Sequence, residues 1–152
     1  MGACPGCGVV VAGGAEGCQA MFDRLSVRLT TSGGLAYTVR RLAVDCYCLQ
    51  HPDRYCVSAK SLAAHLTGLC WALEFDGGEN GLKALQTWLN GQIPLKKPPI
   101  PSNRGRLTVS DLVDDQGSIP AAVDRWARSI WDAYDHLHST ATRWVEEATG
   151  RA

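Results

Sequence analysis

The chain lacks an excess of charge of either sign: 15 Lys and Arg stand against 15 Asp and Glu. No long-range field therefore gathers nucleic acid or an anionic membrane around it. Short basic pairs such as Arg40–Arg41 and Lys96–Lys97 read as solvated surface rather than as a phosphate track. It also lacks any run near the ~20 apolar residues that a bilayer-spanning helix needs. The first residues show no basic stretch leading into an apolar one, and Val9–Ala12 is too short to serve, so no secretory signal is expected. There is no internal repeat, no signature that names a reaction and no recognisable nucleophile–base set.

What is present is an ordinary globular balance, with 45% hydrophobic and 20% charged residues in 152. That is one domain's worth of chain, 1–152, able to bury a core without staples. Seven cysteines are the unusual feature. With no export signal the expected location is the cytoplasm, where clustered cysteines point to metal binding or thiol chemistry before disulfides.

Residues 1–17 are rich in Gly and Cys and read as a knuckle loop, with Val9–Ala12 a candidate short strand. Residues 18–91 read as helices. Cys18, Met21, Phe22, Leu25 and Leu29 recur at spacings of three and four, which places them on one face of a first helix that Gly33–Gly34 breaks. A second runs from about Leu35 to Gln50 on Val39, Leu42, Ala43, Cys46 and Leu49, and Pro52 ends it at His51. Ser58 caps a third, with Leu62, Ala63, Leu66, Leu69, Cys70 and Leu73 inward, and a shorter fourth holds Leu82, Leu85, Trp88 and Leu89. Residues 92–117 form a Pro-rich strap across the helices and a brief helix over Thr108–Val113. Ser118, with Pro120 in the first turn, opens one long amphipathic helix over 118–149. The expected fold is mostly α: a small helical bundle carrying an N-terminal Cys-x2-Cys zinc knuckle.

Cys4-Pro5-Gly6-Cys7-Gly8 is the sharpest motif. Two thiolates with two residues between them can grip one tetrahedral ion, and Pro and Gly favour the turn that aims backbone N–H groups at sulfur. A redox pair would need a strand-to-helix setting that is not seen here. Cys18 is the natural third ligand, since Gly17 precedes it and it opens the first helix on the inward face. For the fourth, His51 comes first because it stands where the second helix must stop, followed by Cys48 and Cys56. Cys46 and Cys70 lie on apolar stripes and read as core. A softer constellation joins Asp45, His51, His65 and His138, which from three helices could bind a metal or move protons. Asp45 can equally pair with Arg41 one turn earlier. His136, one turn from Asp132, reads as half of a solvated ion pair. Of five tryptophans, Trp131 is the candidate to line a cleft and the others read mainly as packing.

CPGCG at Cys4–Gly8, Gly17–Cys18, VDCYCLQHP at Val44–Pro52, SAKSLAAHL at Ser58–Leu66 and WARSIWDAYDHLH at Trp126–His138 together resemble an uncharacterised bacterial family, domain of unknown function 5946, common in actinomycetes. The resemblance spans Cys4 to about Trp144 and implies no established activity. It does imply that Cys4, Cys7, Cys18, Asp45, Gln50, His51, His65 and His138 are matching positions. The family pattern has small residues where Cys46 and Cys48 stand, and often a second histidine where this chain has Leu137. The expected function is a zinc-stabilised binding or accessory module, its partner a protein or small molecule. The alternative is a metal-dependent enzyme acting on a small molecule in a specialised bacterial pathway, with Asp45, His65 and His138 as candidate catalytic residues.

Overall fold

The computed structural model describes residues 1–115 and 117–151. Two short strands, β1 (Gly2–Ala3) and β2 (Val10–Val11), pair antiparallel, with Gly2 opposite Val11 and Ala3 opposite Val10. Everything else that is regular is helical: α1 (Ala15–Thr31), α2 (Tyr37–Gln50), α3 (Pro52–Tyr55), α4 (Ala59–Glu74), α5 (Glu79–Asn90), α6 (Val109–Val113), α7 (Ile119–Ala133) and α8 (His138–Thr149). Among the described residues no helix is long and apolar enough to cross a membrane.

The expected stripes are the packed faces. Cys18, Met21, Leu25 and Leu29 of α1 are buried, as are Leu62, Ala63, Leu66, Leu69 and Cys70 of α4 and Val123, Trp126, Ala127 and Ile130 of α7. The second helix differs from its neighbours: it packs on α1, α3, α4 and α7, so every residue from Asp45 to Gln50 is buried, not only one face. A helix enclosed on all sides must satisfy its polar side chains internally. Gln50 does so fully, donating Nε2 to the carbonyls of Arg104 (3.0 Å) and Leu107 (2.7 Å) and accepting Trp126 Nε1 at 3.0 Å.

Ser58 caps α4 through a capping box with Ser61, and Ser118 accepts from Ala121 N at the start of α7. Pro52, which ends α2, also starts α3, because a proline fits the first turn of a helix as well as it blocks the residue before it.

The single long helix expected over 118–149 is in fact two. Between α7 and α8 a 3₁₀ turn, Asp135–Leu137, redirects the chain. Tyr134 N is shared between the carbonyls of Ile130 and Trp131, and Leu137 N bonds to Tyr134 O. The apolar spacing passes through unbroken because a 3₁₀ turn also repeats at three residues, and neither Gly nor Pro marks the place. His136 is likewise not half of an ion pair: its Nε2 donates to the carbonyl of Pro99 at 3.0 Å and so pins the strap. Lys97 Nζ does the same from the strap side, reaching Val57 O at 2.9 Å.

Candidate metal centre

β1 delivers Cys4 and β2 receives the chain after Cys7. Between them Cys4 N bonds to Val9 O and Gly8 N to Cys4 O, both at 2.8 Å, and Gly8 takes a φ of 82° that glycine alone accepts readily. Two further glycines with positive φ, Gly13 and Gly14, turn the chain into α1. There Cys18 sits in the first turn, pointing inward. Gly17 presses so closely on the carbonyl of Ala12 that a Cβ would overlap it.

His51 arrives from the other side, at the end of α2. Its Nδ1 donates to the carbonyl of Tyr47, one turn back, at 2.7 Å. A carbonyl can only accept, so Nδ1 carries the proton and Nε2 presents its lone pair. That lone pair lies 3.4 Å from Cys4 Sγ and 3.5 Å from Cys18 Sγ, while Cys7 and Cys18 Sγ are 3.6 Å apart. The four donor atoms of Cys4, Cys7, Cys18 and His51 lie within 4.8 Å of one another, a group that can hold one metal ion. Three of the residues are buried and Cys7 is partly exposed.

The surroundings fix the imidazole. Tyr47 stacks on it at 4.0 Å between centroids, Phe22 stacks on Tyr47 at 4.0 Å, and Gly6 lies flat against its other edge with no room for a Cβ. Tyr47 Oη donates toward Cys18 Sγ at 3.6 Å, and Arg104 Nη1 donates to Gly6 O at 2.6 Å. Gln19 Oε1, beside the cluster, faces Tyr55 Oη at 3.0 Å and Arg54 Nη1 at 3.1 Å. Within the cluster the hydrogen bond from Cys7 holds the Cys18 thiol down to about 4, with a further hydrogen bond from Tyr47, against the effect of burial. The same Cys7–Cys18 bond, and then burial, push Cys7 up. A thiolate beside a thiol is what two crowded sulfurs adopt when only one can ionise first.

Cys48 and Cys56, the alternative fourth ligands, lie outside this group. Cys56 Sγ donates to Cys48 O at 3.6 Å, and burial pushes both thiols up to about 12. Cys46 and Cys70 are fully buried and packed into the core.

The softer constellation does not come together as one site. His51 is taken by the cysteines. His138 stacks on Trp131 at 3.8 Å and donates Nε2 to that residue's carbonyl at 2.7 Å. Trp131 is 5% exposed, with Nε1 donating to Glu74 Oε1 at 2.8 Å. Asp45 and His65 do meet, Nδ1 to Oδ1 at 2.9 Å, with Arg41 Nε at 3.3 Å from the same oxygen. Among the described residues the cysteine–histidine cluster is the one group of three or more metal-capable side chains this close.

Sequence reasoning did not find Tyr47, Gln19 or Arg104 as supports of the cluster. Tyr47 carried a signal, standing one turn before His51; Arg104 carried none, since its contact with Gly6 spans 98 residues.

No curated protein and no solved structure matches the chain. A family model matches residues 2–135, a span that takes in all four clustered residues, and by that match the chain belongs to the family of unknown function DUF5946.

Proposed function

We propose that Cys4, Cys7, Cys18 and His51 hold a structural zinc ion, and that the zinc-braced bundle serves as a binding or accessory module in the cytoplasm rather than as an enzyme acting at the metal. The observation that carries this reading is the donor set itself, three sulfurs and one imidazole nitrogen gathered from three elements. Zinc bonds of ~2.3 Å to sulfur and ~2.1 Å to nitrogen in a tetrahedron put the donors ~3.5–3.8 Å apart. The contacts of 3.4, 3.5 and 3.6 Å fit that size. Four protein ligands complete the tetrahedron and leave no position for water or substrate, which is the pattern of a structural site. A zinc ion there would tie the irregular first fourteen residues to the starts of α1 and α3 and the end of α2.

Elemental analysis of purified protein should give one zinc per chain, lost in Cys4→Ser together with several degrees of melting temperature. A Cys4→Ser protein with unchanged metal content and melting temperature would refute the reading. Of the metal-dependent enzyme built on Asp45, His65 and His138, the geometry supports only the Asp45–His65 contact.

A further inference from the structure

Of the seven cysteines, six are buried and Cys7 alone is partly exposed. A structural zinc needs no exposed ligand, and a sulfur that solvent can reach is the one an oxidant finds first. Glycines flank Cys7 on both sides, and no atom lies within 4 Å of where a Cβ on Gly8 would stand. The sulfur facing it is that of Cys18, 3.6 Å away. Disulfide sulfurs stand ~2.05 Å apart, so this pair has about 1.5 Å to close. Cys4 is held otherwise. Its N bonds to Val9 O and its O accepts Gly8 N, both at 2.8 Å, while its Sγ faces His51 Nε2 at 3.4 Å. Cys46, Cys48, Cys56 and Cys70 stand outside the cluster.

Which two sulfurs join decides what stays fastened. Cys18 belongs to α1, whereas His51 ends α2. A bond from Cys7 to Cys18 keeps the knuckle on α1 and leaves Cys4 and His51, two donors where a tetrahedral ion takes four. The metal link to α2 is then lost. The seam between knuckle and α2 already holds a cavity of about 90 Å³, lined by Cys4, Pro5 and Gly6 on the knuckle and by Tyr47, His51 and Pro52. Gly6, on that seam, is also the residue that Arg104 of the strap holds through its carbonyl.

We propose that Cys7 and Cys18 form a thiol switch, in which a hydroperoxide joins them as a disulfide, expels the zinc and unfastens the knuckle from α2. The switch rests on the zinc reading above and names the regulation of that site. Bound to the metal, both sulfurs are thiolates. Cys7 Sγ attacks one oxygen of the peroxide; the O–O bond breaks, and the departing oxygen takes a proton and leaves as the alcohol, or as water from hydrogen peroxide. Cys18 Sγ then attacks the Cys7 sulfenic acid. The S–S bond forms, the S–O bond breaks, and hydroxide leaves as water with a second proton. Two electrons pass from the sulfur pair to the peroxide.

Reduced protein, first assayed for zinc, should be treated with a small excess of hydrogen peroxide beside a chromogenic zinc chelator. One zinc per chain should appear as two of the seven thiols are lost. Peptide mass mapping should join Cys7 to Cys18, and dithiothreitol with added zinc should restore the starting state. His51, 6% exposed beneath the knuckle, should react with diethyl pyrocarbonate several-fold faster after oxidation. Cys7→His, which keeps a metal-binding nitrogen but no sulfur, should release zinc to peroxide several-fold more slowly than wild type. Zinc retained with every thiol intact would overturn the switch and leave the structural zinc standing. A disulfide mapped elsewhere, unchanged His51 reactivity, or equal zinc release from Cys7→His would also overturn it. Protein that carries no zinc when purified would fail the metal reading itself, and the switch with it.

Discussion

A methyl group at Gly6 would overlap the His51 ring and crowd the Gln50 carbonyl, so Gly6→Ala must either lift the knuckle from α2 or tilt the imidazole. Groups that orient a metal-binding histidine typically contribute about 10–100-fold in metal affinity. Gly6→Ala should lower zinc affinity by that order in competition with a chromogenic chelator. Unchanged affinity would mean that the knuckle stands free of His51. A second prediction concerns Cys48 and Cys56, whose thiols burial raises from 9.0 to about 12. The folded state favours their neutral form, so their contribution to stability is complete below about pH 9 and is lost as pH rises toward 12. Denaturant midpoints should fall over that window, and the fall should shrink in the Cys48→Ala/Cys56→Ala double variant. At this scale the sequence was legible where a residue's role is local. The Cys4–Cys7 spacing, Cys18 after Gly17 and His51 before Pro52 can each be read within a few positions. The destination of His138 was not legible, because its stacking on Trp131 depends on the 3₁₀ turn between them.

The elements follow from periodicity and punctuation, and their weak points lie where the two disagree. Ser58 was readable as a cap, and the structure adds the reciprocal bond from its backbone N–H to Ser61 Oγ at 3.0 Å. Ser58→Ala should cost about 1 kcal/mol in urea unfolding, the usual loss for a capping serine. No measurable change would show that α4 is held by packing alone. The break between α7 and α8 escaped pattern reading because Tyr134, Leu137 and Ala141 keep an apolar spacing of three and four through it. What fixes the break is tertiary: Tyr134 Oη donates to Leu49 O at 2.5 Å, a bond 85 residues distant that ties this turn to α2. The enclosure of α2 was equally hidden. Its stripe of Val39, Leu42, Ala43, Cys46 and Leu49 resembles that of a helix with one wet face, and only the arrangement of four neighbours shows that its last six residues, Asp45 to Gln50, have none.

At the scale of the whole molecule, the knuckle and the strap are fastened to each other as well as to the bundle. Arg104 reaches Gly6 O, and Gln50, the residue before His51, holds the strap at Arg104 and Leu107. The strap makes no strand or helix from Gly91 to Thr108, so these side-chain contacts do much to keep it in place. The apolar core, by contrast, is built mainly from α1, α2, α4, α7 and α8, whose apolar faces meet one another directly. Zinc removal should therefore separate two responses. Chelation should leave most of the helical far-ultraviolet signal, unlike a small zinc finger that unfolds outright when its metal is removed. It should also lower the melting temperature by the binding free energy that zinc contributes to the folded state alone. Within the same chelated sample, trypsin should cut after Arg104 and Arg106 much faster than in the zinc-loaded protein, because Gly6 no longer holds Arg104. Equal cleavage rates would break the proposed link between metal and strap. Loss of the helical signal on chelation would mean that the bundle cannot hold itself together, and that the four ligands support the core as well as the N-terminal loop.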